Sequence, residues 1–232
     1  MTHKIFFIVL VLFGFQMTAQ SGFPEISSSE NIIDKYNPSD ILMYYSAMSG
    51  SKMNAKYFPF TKKMKETTIK TVIVNTSSDI EGAIAKLHFL TVNLEGSPGL
   101  PIAESVVFEV KKDKDNTAID VAQYGIAVPE NGIFIAFEWL MIDSNKYSAQ
   151  ATFLDKTVTT ASKVEGKKSE TIVKYMPFIG STPSRKNTVW ICNVNNNWTL
   201  SKKSKHKMLI GNYPNPYYGK YLEMAVSLIL TK

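Results

Sequence analysis

Residues 124–140 read YGIAVPENGIFIAFEWL, and the fold turns on how this stretch is read. Pro129-Glu130-Asn131-Gly132 is turn chemistry: proline presets φ for a bend, and glycine accepts the positive φ that ends it. Eight residues follow, Ile133 to Leu140, of which only Glu138 is charged. At period two, Ile133, Ile135, Phe137 and Trp139 share one face; Phe134, Ala136, Glu138 and Leu140 share the other. Both faces are apolar. That pattern predicts a central strand covered on both sides, with one carboxylate set into it.

Outward from this strand the period of two persists. Ala55–Phe60, Thr67–Asn75, Ile84–Asn93, Ser105–Lys111 and Thr117–Val121 alternate as strands upstream, with polar turns such as KDKDN between them. Downstream, Tyr147–Leu154, Thr171–Tyr175, Val189–Val194, Lys207–Gly211 and Tyr221–Leu230 read the same way, and 157–169 reads as a polar loop or marginal hairpin. No amphipathic helical pattern exceeds about ten residues; Ser29–Tyr36 is expected to make one or two helical turns, stopped by Asn37-Pro38. Roughly ten short strands with little helix predict an all-β, antiparallel, jelly-roll-like sandwich. Its domain is expected over 51–232, after a lead-in segment at 21–50 packed on the sandwich edge.

Residues 1–20 read as an export signal. His3 and Lys4 precede the apolar run IFFIVLVLFGF, and Met17-Thr18-Ala19 offers small residues for cleavage near Ala19. The run is shorter than the roughly 20 apolar residues that span a bilayer. No cysteine follows it to carry a lipid anchor. The expected product is periplasmic or secreted, with no membrane span in the mature chain.

Composition narrows the function classes. The 232 residues carry a formal charge of +6, but Arg185 is the sole arginine among 26 basic residues. Nucleic-acid readers lean on arginine for bidentate contacts, so spread-out lysine reads as a solvated surface. Cys192 is the single cysteine, in NTVWICNV, which excludes an internal disulfide and reads as a small buried hydrophobe. His88 and His206 lie 118 residues apart, with no cysteine pattern to complete a zinc site. GxSxG, GxGxxG, GxxxxGK and HExxH are all missing. No cofactor or metal is expected.

Two constellations remain. Glu138 must be paired, protonated or at the rim, because an unpaired buried carboxylate costs several kcal/mol. Its structural reading is an ion pair, with His88 or Lys86 as partner; its functional reading is a glycosidase acid or a ligand-binding carboxylate. The second constellation is aromatic: Trp190, Trp198, Tyr213, Tyr217 and Tyr218, three of them in YPNPYYG. Exposed rings of this kind stack on sugars or peptides, while proline-flanked tyrosines also staple loops over a sandwich end.

The stretch IAKLHFLTVNLEGSPGLPIAESVVFEVKKDKDNTAIDVAQYGIAVPENGIFIAFEWL resembles a domain of exported Bacteroidetes proteins. That domain commonly follows a transthyretin-like, carboxypeptidase-regulatory-type module. The elements that carry the likeness are Gly96 to Gly99, Val106 to Lys112, Ile119 to Ile126 and Pro129 to Leu140. YMPFIG, Trp198 after a polar turn and the closing AVSLIL extend it over about residues 50–232. The resemblance implies a β-sandwich with no established enzymatic activity. Two departures stand out: the family often has arginine where His88 sits, and the regulatory-type module is not expected in this sequence. Pro129, Gly132, Trp139, Glu138 and His88 are therefore expected as structural residues. The expected role is non-catalytic, in envelope structure or in binding a glycan or an envelope protein. The alternative is a carboxylate-dependent glycoside hydrolase centred on Glu138. That alternative requires a second carboxylate roughly 5–9.5 Å away, with Asp120, Glu109 and Asp143 as the candidates.

Overall fold

The computed structural model describes residues 23–41, 43–47, 51–154, 167–205, 207 and 215–232. Among them are fifteen strands: β1 (Asn31–Ile33), β2 (Met43–Ala47), β3 (Ser51–Phe58), β4 (Thr68–Ser77), β5 (Ala83–Val92), β6 (Pro98–Pro101), β7 (Val106–Val110), β8 (Asn116–Asp120), β9 (Ile133–Trp139), β10 (Lys146–Leu154), β11 (Lys167–Ser184), β12 (Val189–Asn193), β13 (Trp198–Leu200), β14 (Tyr221–Met224) and β15 (Val226–Thr231). The only described helices are single 3-10 turns of three residues. No described helix is long and apolar enough to cross a membrane.

The strands form two antiparallel sheets packed face to face, an all-β sandwich. One runs β13-β12-β3-β9-β5-β6, with β7 also on β5; the other runs β1-β15-β4-β11-β10, with β14 and β2 on β11 and β8 on β4. As its two-sided pattern requires, β9 is interior to its sheet, between β3 and β5. Ile133, Ile135, Phe137 and Trp139 point into the inter-sheet core. There they meet Val72, Val74, Leu228 and Leu230 from the other sheet and Leu87 and Phe89 from β5. Phe137 packs edge-on to both Phe108 and Trp139. The buried indole N–H of Trp139 donates to the Pro177 carbonyl at 2.7 Å, which ties β9 across the core to β11.

The PENG turn works as its residues demand. Gly132 N–H donates to Pro129 C=O at 2.8 Å, and Gly132 takes φ +89°. A Cβ there would sit 2.6 Å from both the Phe58 carbonyl and the Tyr57 ring. Two independent constraints therefore demand glycine. Tyr57 donates its hydroxyl to Asn131 C=O at 2.9 Å and clamps the turn onto β3.

Three expectations change. Ser29–Tyr36 is not helical: Asn31–Ile33 forms β1 on the edge beside β15, because ladder partners at Leu228–Leu230 outweigh a weak local helical preference. Asn37-Pro38 starts a 3-10 turn rather than ending a helix, with the Asn37 side chain accepting from Ser39 N–H at 3.2 Å. The lead-in segment also supplies two strands and a cover: Phe23, Tyr36 and Ile41 pack over Ile73, Ala225 and Ile229 on the outer face of the eight-stranded sheet. The 157–169 loop mostly lies outside the described residues, as do residues 1–20 and most of Lys207–Gly211.

Candidate functional site

The outer face of the seven-stranded sheet holds the site. Pairing registers lay its side chains out in rows. The first row is Trp198, Cys192, Met53, Glu138 and Lys86. The second is Leu200, Trp190, Ala55, Ala136 and His88, and the third is Tyr57, Phe134 and Leu90. Ala55, Leu90, Phe134 and Ala136 are buried as a floor, and Tyr57, Val92, Trp190 and Trp198 pack against them partly buried. Every member of this cluster belongs to the sheet itself, on β3, β5, β9, β12 or β13. The apolar side chains over one outer face thus come from the lead-in segment, while the described hydrophobic cluster on the other is made of the sheet's own residues.

Trp198, Trp190 and Tyr57 fall on one diagonal of this grid. Each step moves one strand over and two residues on, which places successive Cα atoms about 8 Å apart. Beside them lies the carboxylate singled out in the sequence. Glu138 Oε2 is 2.7 Å from His88 Nε2, with both side chains 22% exposed. Of the two partners considered, His88 makes the contact, and Lys86 stands directly across the ladder. The His88 hydrogen bond holds the Glu138 carboxyl below its ordinary range against the opposing effect of burial, with further help from the charges of His88, Lys86 and Lys52. A carboxylate so held is an anion at neutral pH, suited to accepting hydrogen bonds and unsuited to donating a proton. Cys192 lies on the same face but is fully buried, and burial pushes its thiol up.

A depression of about 560 Å³ opens next to the pair, lined by His88, Pro101, Ile102, Ala103, Glu104 and Ser105. Of the carboxylates considered as second acids, Asp120 is on β8 in the opposite sheet and Asp143 pairs with Lys146 at 2.5 Å. Glu109 turns its carboxylate toward Gly82, at the far end of β5 from His88. Among the described residues no cluster of three or more His, Cys, Asp or Glu side chains is arranged to hold a metal ion.

The tyrosines divide. Tyr217 is completely buried, with its hydroxyl 2.7 Å from Ser181 C=O and 2.9 Å from Asp40 C=O. As a ligand-stacking residue it is corrected: sealed from solvent, it staples the 215–219 loop to β11 and to the Pro38–Asp40 turn. Tyr218 is 49% exposed, with Lys207 Nζ 5.8 Å from its ring centroid, but it is not among the rings packed on the sheet face. Tyr213 and His206 lie outside the described residues. Pro129, Gly132 and Trp139 fill the positions described above, none of them on the outer face. The structure thus puts Trp190 and Trp198 on the same sheet face as Glu138 and His88, a placement that distance in sequence conceals. Tyr57, Glu104 and Ser105 were not singled out from sequence; strand register places Tyr57 here, and the β6–β7 connection brings Glu104 and Ser105 to the depression.

No family model, curated protein or solved structure matches this chain.

Proposed function

We propose that the outer face of the seven-stranded sheet is a non-catalytic platform for a linear glycan. Its bearer is an exported β-sandwich of the Bacteroidetes type described above, acting in the periplasm or beyond. The observation that carries this reading is the diagonal of Trp198, Trp190 and Tyr57 in the partly exposed aromatic cluster of this sheet face, whose described members all belong to the sheet's own strands. Half-buried, well-supported rings offer flat apolar faces at low entropic cost, which suits the C–H faces of successive sugars in an unbranched chain. The adjacent Glu138–His88 pair supplies hydrogen-bonding groups for hydroxyls. A glycan array probed with the exported protein tests the reading. Binding to one or more linear glycans, weakened about tenfold or more by Trp190→Ala or Trp198→Ala, is expected. Absence of binding to any glycan would redirect the assignment to a protein partner.

One observation favours a second reading as a glycoside hydrolase: Glu104 lines the depression beside His88 and could serve as the second carboxylate to Glu138. In that scheme Glu138, held as an anion, is the nucleophile. Release of reducing ends from a bound glycan, abolished by Glu138→Gln, would establish it in place of the platform.

A further inference from the structure

We infer that the depression beside His88 is a second, polar subsite of the same face, and that it takes a single neutral sugar residue through a pair of neighbouring hydroxyls. This deepens the platform reading and rests on it. The subsite is built from the β5–β6–β7 connection. Ser105 immediately precedes Val106, the β7 residue paired with Leu87, and it lines the depression together with His88, the residue after Leu87 on β5. Ile102 N–H donates to Phe89 C=O at 2.8 Å and pins the connection to β5.

The turn that delivers the chain there is tightly specified. Asn93 Oδ1 accepts from Glu95 N–H and Ser97 N–H, and Thr91 Oγ1 accepts from Leu100 N–H. A Cβ on Gly99 would lie 2.6 Å from that same Thr91 oxygen. These bonds fix the chain up to Leu100, and the Ile102 bond to β5 carries that order into the apolar side of the depression, which lowers the entropic cost of binding there.

The chemistry of the walls selects the ligand. His88 has one ring nitrogen committed to Glu138, leaving Nδ1 as its remaining polar atom. Glu104 offers a carboxylate able to accept two O–H donors, and Ser105 offers a hydroxyl that donates or accepts. Pro101, Ile102 and Ala103 supply an apolar wall against which a ring's C–H face can rest. The Glu138 charge is already engaged by His88, with Lys86 alongside, so a neutral ligand meets no uncompensated buried charge. The depression, about 560 Å³, is shallow and largely open to solvent, so a single ring rests against its apolar side with its other face in water. His88 lies three strands from Trp190 in the same row, about 14 Å away, so one glycan chain can reach both sites.

The test uses the exported protein labelled with ¹⁵N-histidine, in which His206→Gln assigns the two imidazole signals. Methyl α-mannopyranoside, methyl β-glucopyranoside and methyl β-galactopyranoside are titrated in turn. At least one should shift the His88 signal saturably. Glu104→Gln and Ser105→Ala, both changes at exposed positions, should each weaken that titration about tenfold. Tyr218→Ala, away from the rings packed on this face, should leave it unchanged. A silent His88 with all three glycosides, or titrations indifferent to both Glu104→Gln and Ser105→Ala, overturns the subsite. If polysaccharide still quenches the emission of Trp190 and Trp198 in that case, the platform stands and only the subsite fails; if neither signal responds, both fail.

Discussion

Glu138 shows how a half-buried charge on an apolar strand is accommodated. Two-sided apolar patterning around it demands a partner, and His88, fifty residues earlier, supplies one at 2.7 Å. Because the folded state holds this carboxyl below its ordinary value of 4.5, the sign of its contribution follows. Its stabilisation is fully present above that value and is lost as pH falls through the lower, folded value. Glu138→Gln should therefore cost about 1–2 kcal/mol at neutral pH. In paired urea titrations the difference from wild type should shrink as the pH drops below 4.5; a difference independent of pH, or none at pH 7, contradicts the pairing. Gly132→Ala should cost about 1–3 kcal/mol, since it meets both a φ of +89° and the Tyr57 ring. An unchanged urea midpoint would show that the turn can relax. Gly132's need for glycine was legible from PENG, and the need of Glu138 for a partner from its setting. Which of His88 and Lys86 would pair was not, because the choice depends on side-chain reach across the β5–β9 ladder.

At the scale of elements, the alternating strands were legible and the irregular one was not. β3, β5, β7 and β9 lie within a few residues of where period-two patterning puts them. β11 was visible only as Thr171–Tyr175, yet it runs for 18 residues, because Pro177, Gly180 and Pro183 look like strand breakers. In place those residues are tolerated: β11 changes partners along its length, from β10 to β2, β4 and β14, with an irregularity between Tyr175 and Ile179. Gly180 is further required by Asn75, whose Oδ1 would lie 2.0 Å from a Cβ there. The lead-in segment was undervalued for a related reason: its anchors are long-range. Lys56, 3% exposed and inside the sandwich, donates to Val226 C=O at 2.9 Å and pairs with Asp34 at 3.3 Å and Glu223 at 3.5 Å. Asp34→Asn combined with Glu223→Gln should strand this ammonium and cost about 3–5 kcal/mol, and adding Lys56→Met should recover most of the loss. Urea midpoints of the double and triple variants check this; a triple variant no more stable than the double would show that the buried charge is not what the carboxylates serve.

For the whole molecule, the sandwich leaves its two outer faces unequal. One is covered by Phe23, Tyr36 and Ile41; the other presents Trp190, Trp198 and Tyr57 beside a polar pair. The all-β class could be read from the alternating strands and turn residues, but this inequality could not. It depends on which strands become neighbours, and β13, β12, β3, β9 and β5 are far apart in the chain. The aromatic cluster visible in sequence accordingly divides into two tryptophans on the sheet face, the staple Tyr217 and the outlying Tyr218. The most direct measurement is affinity electrophoresis of the protein through gels containing a linear polysaccharide chosen from the array, comparing wild type with Trp190→Ala, Trp198→Ala and Tyr218→Ala. Retardation of wild type and Tyr218→Ala, with loss of retardation in both tryptophan variants, is the predicted result. Equal retardation of all four proteins, or loss in Tyr218→Ala alone, would contradict the platform.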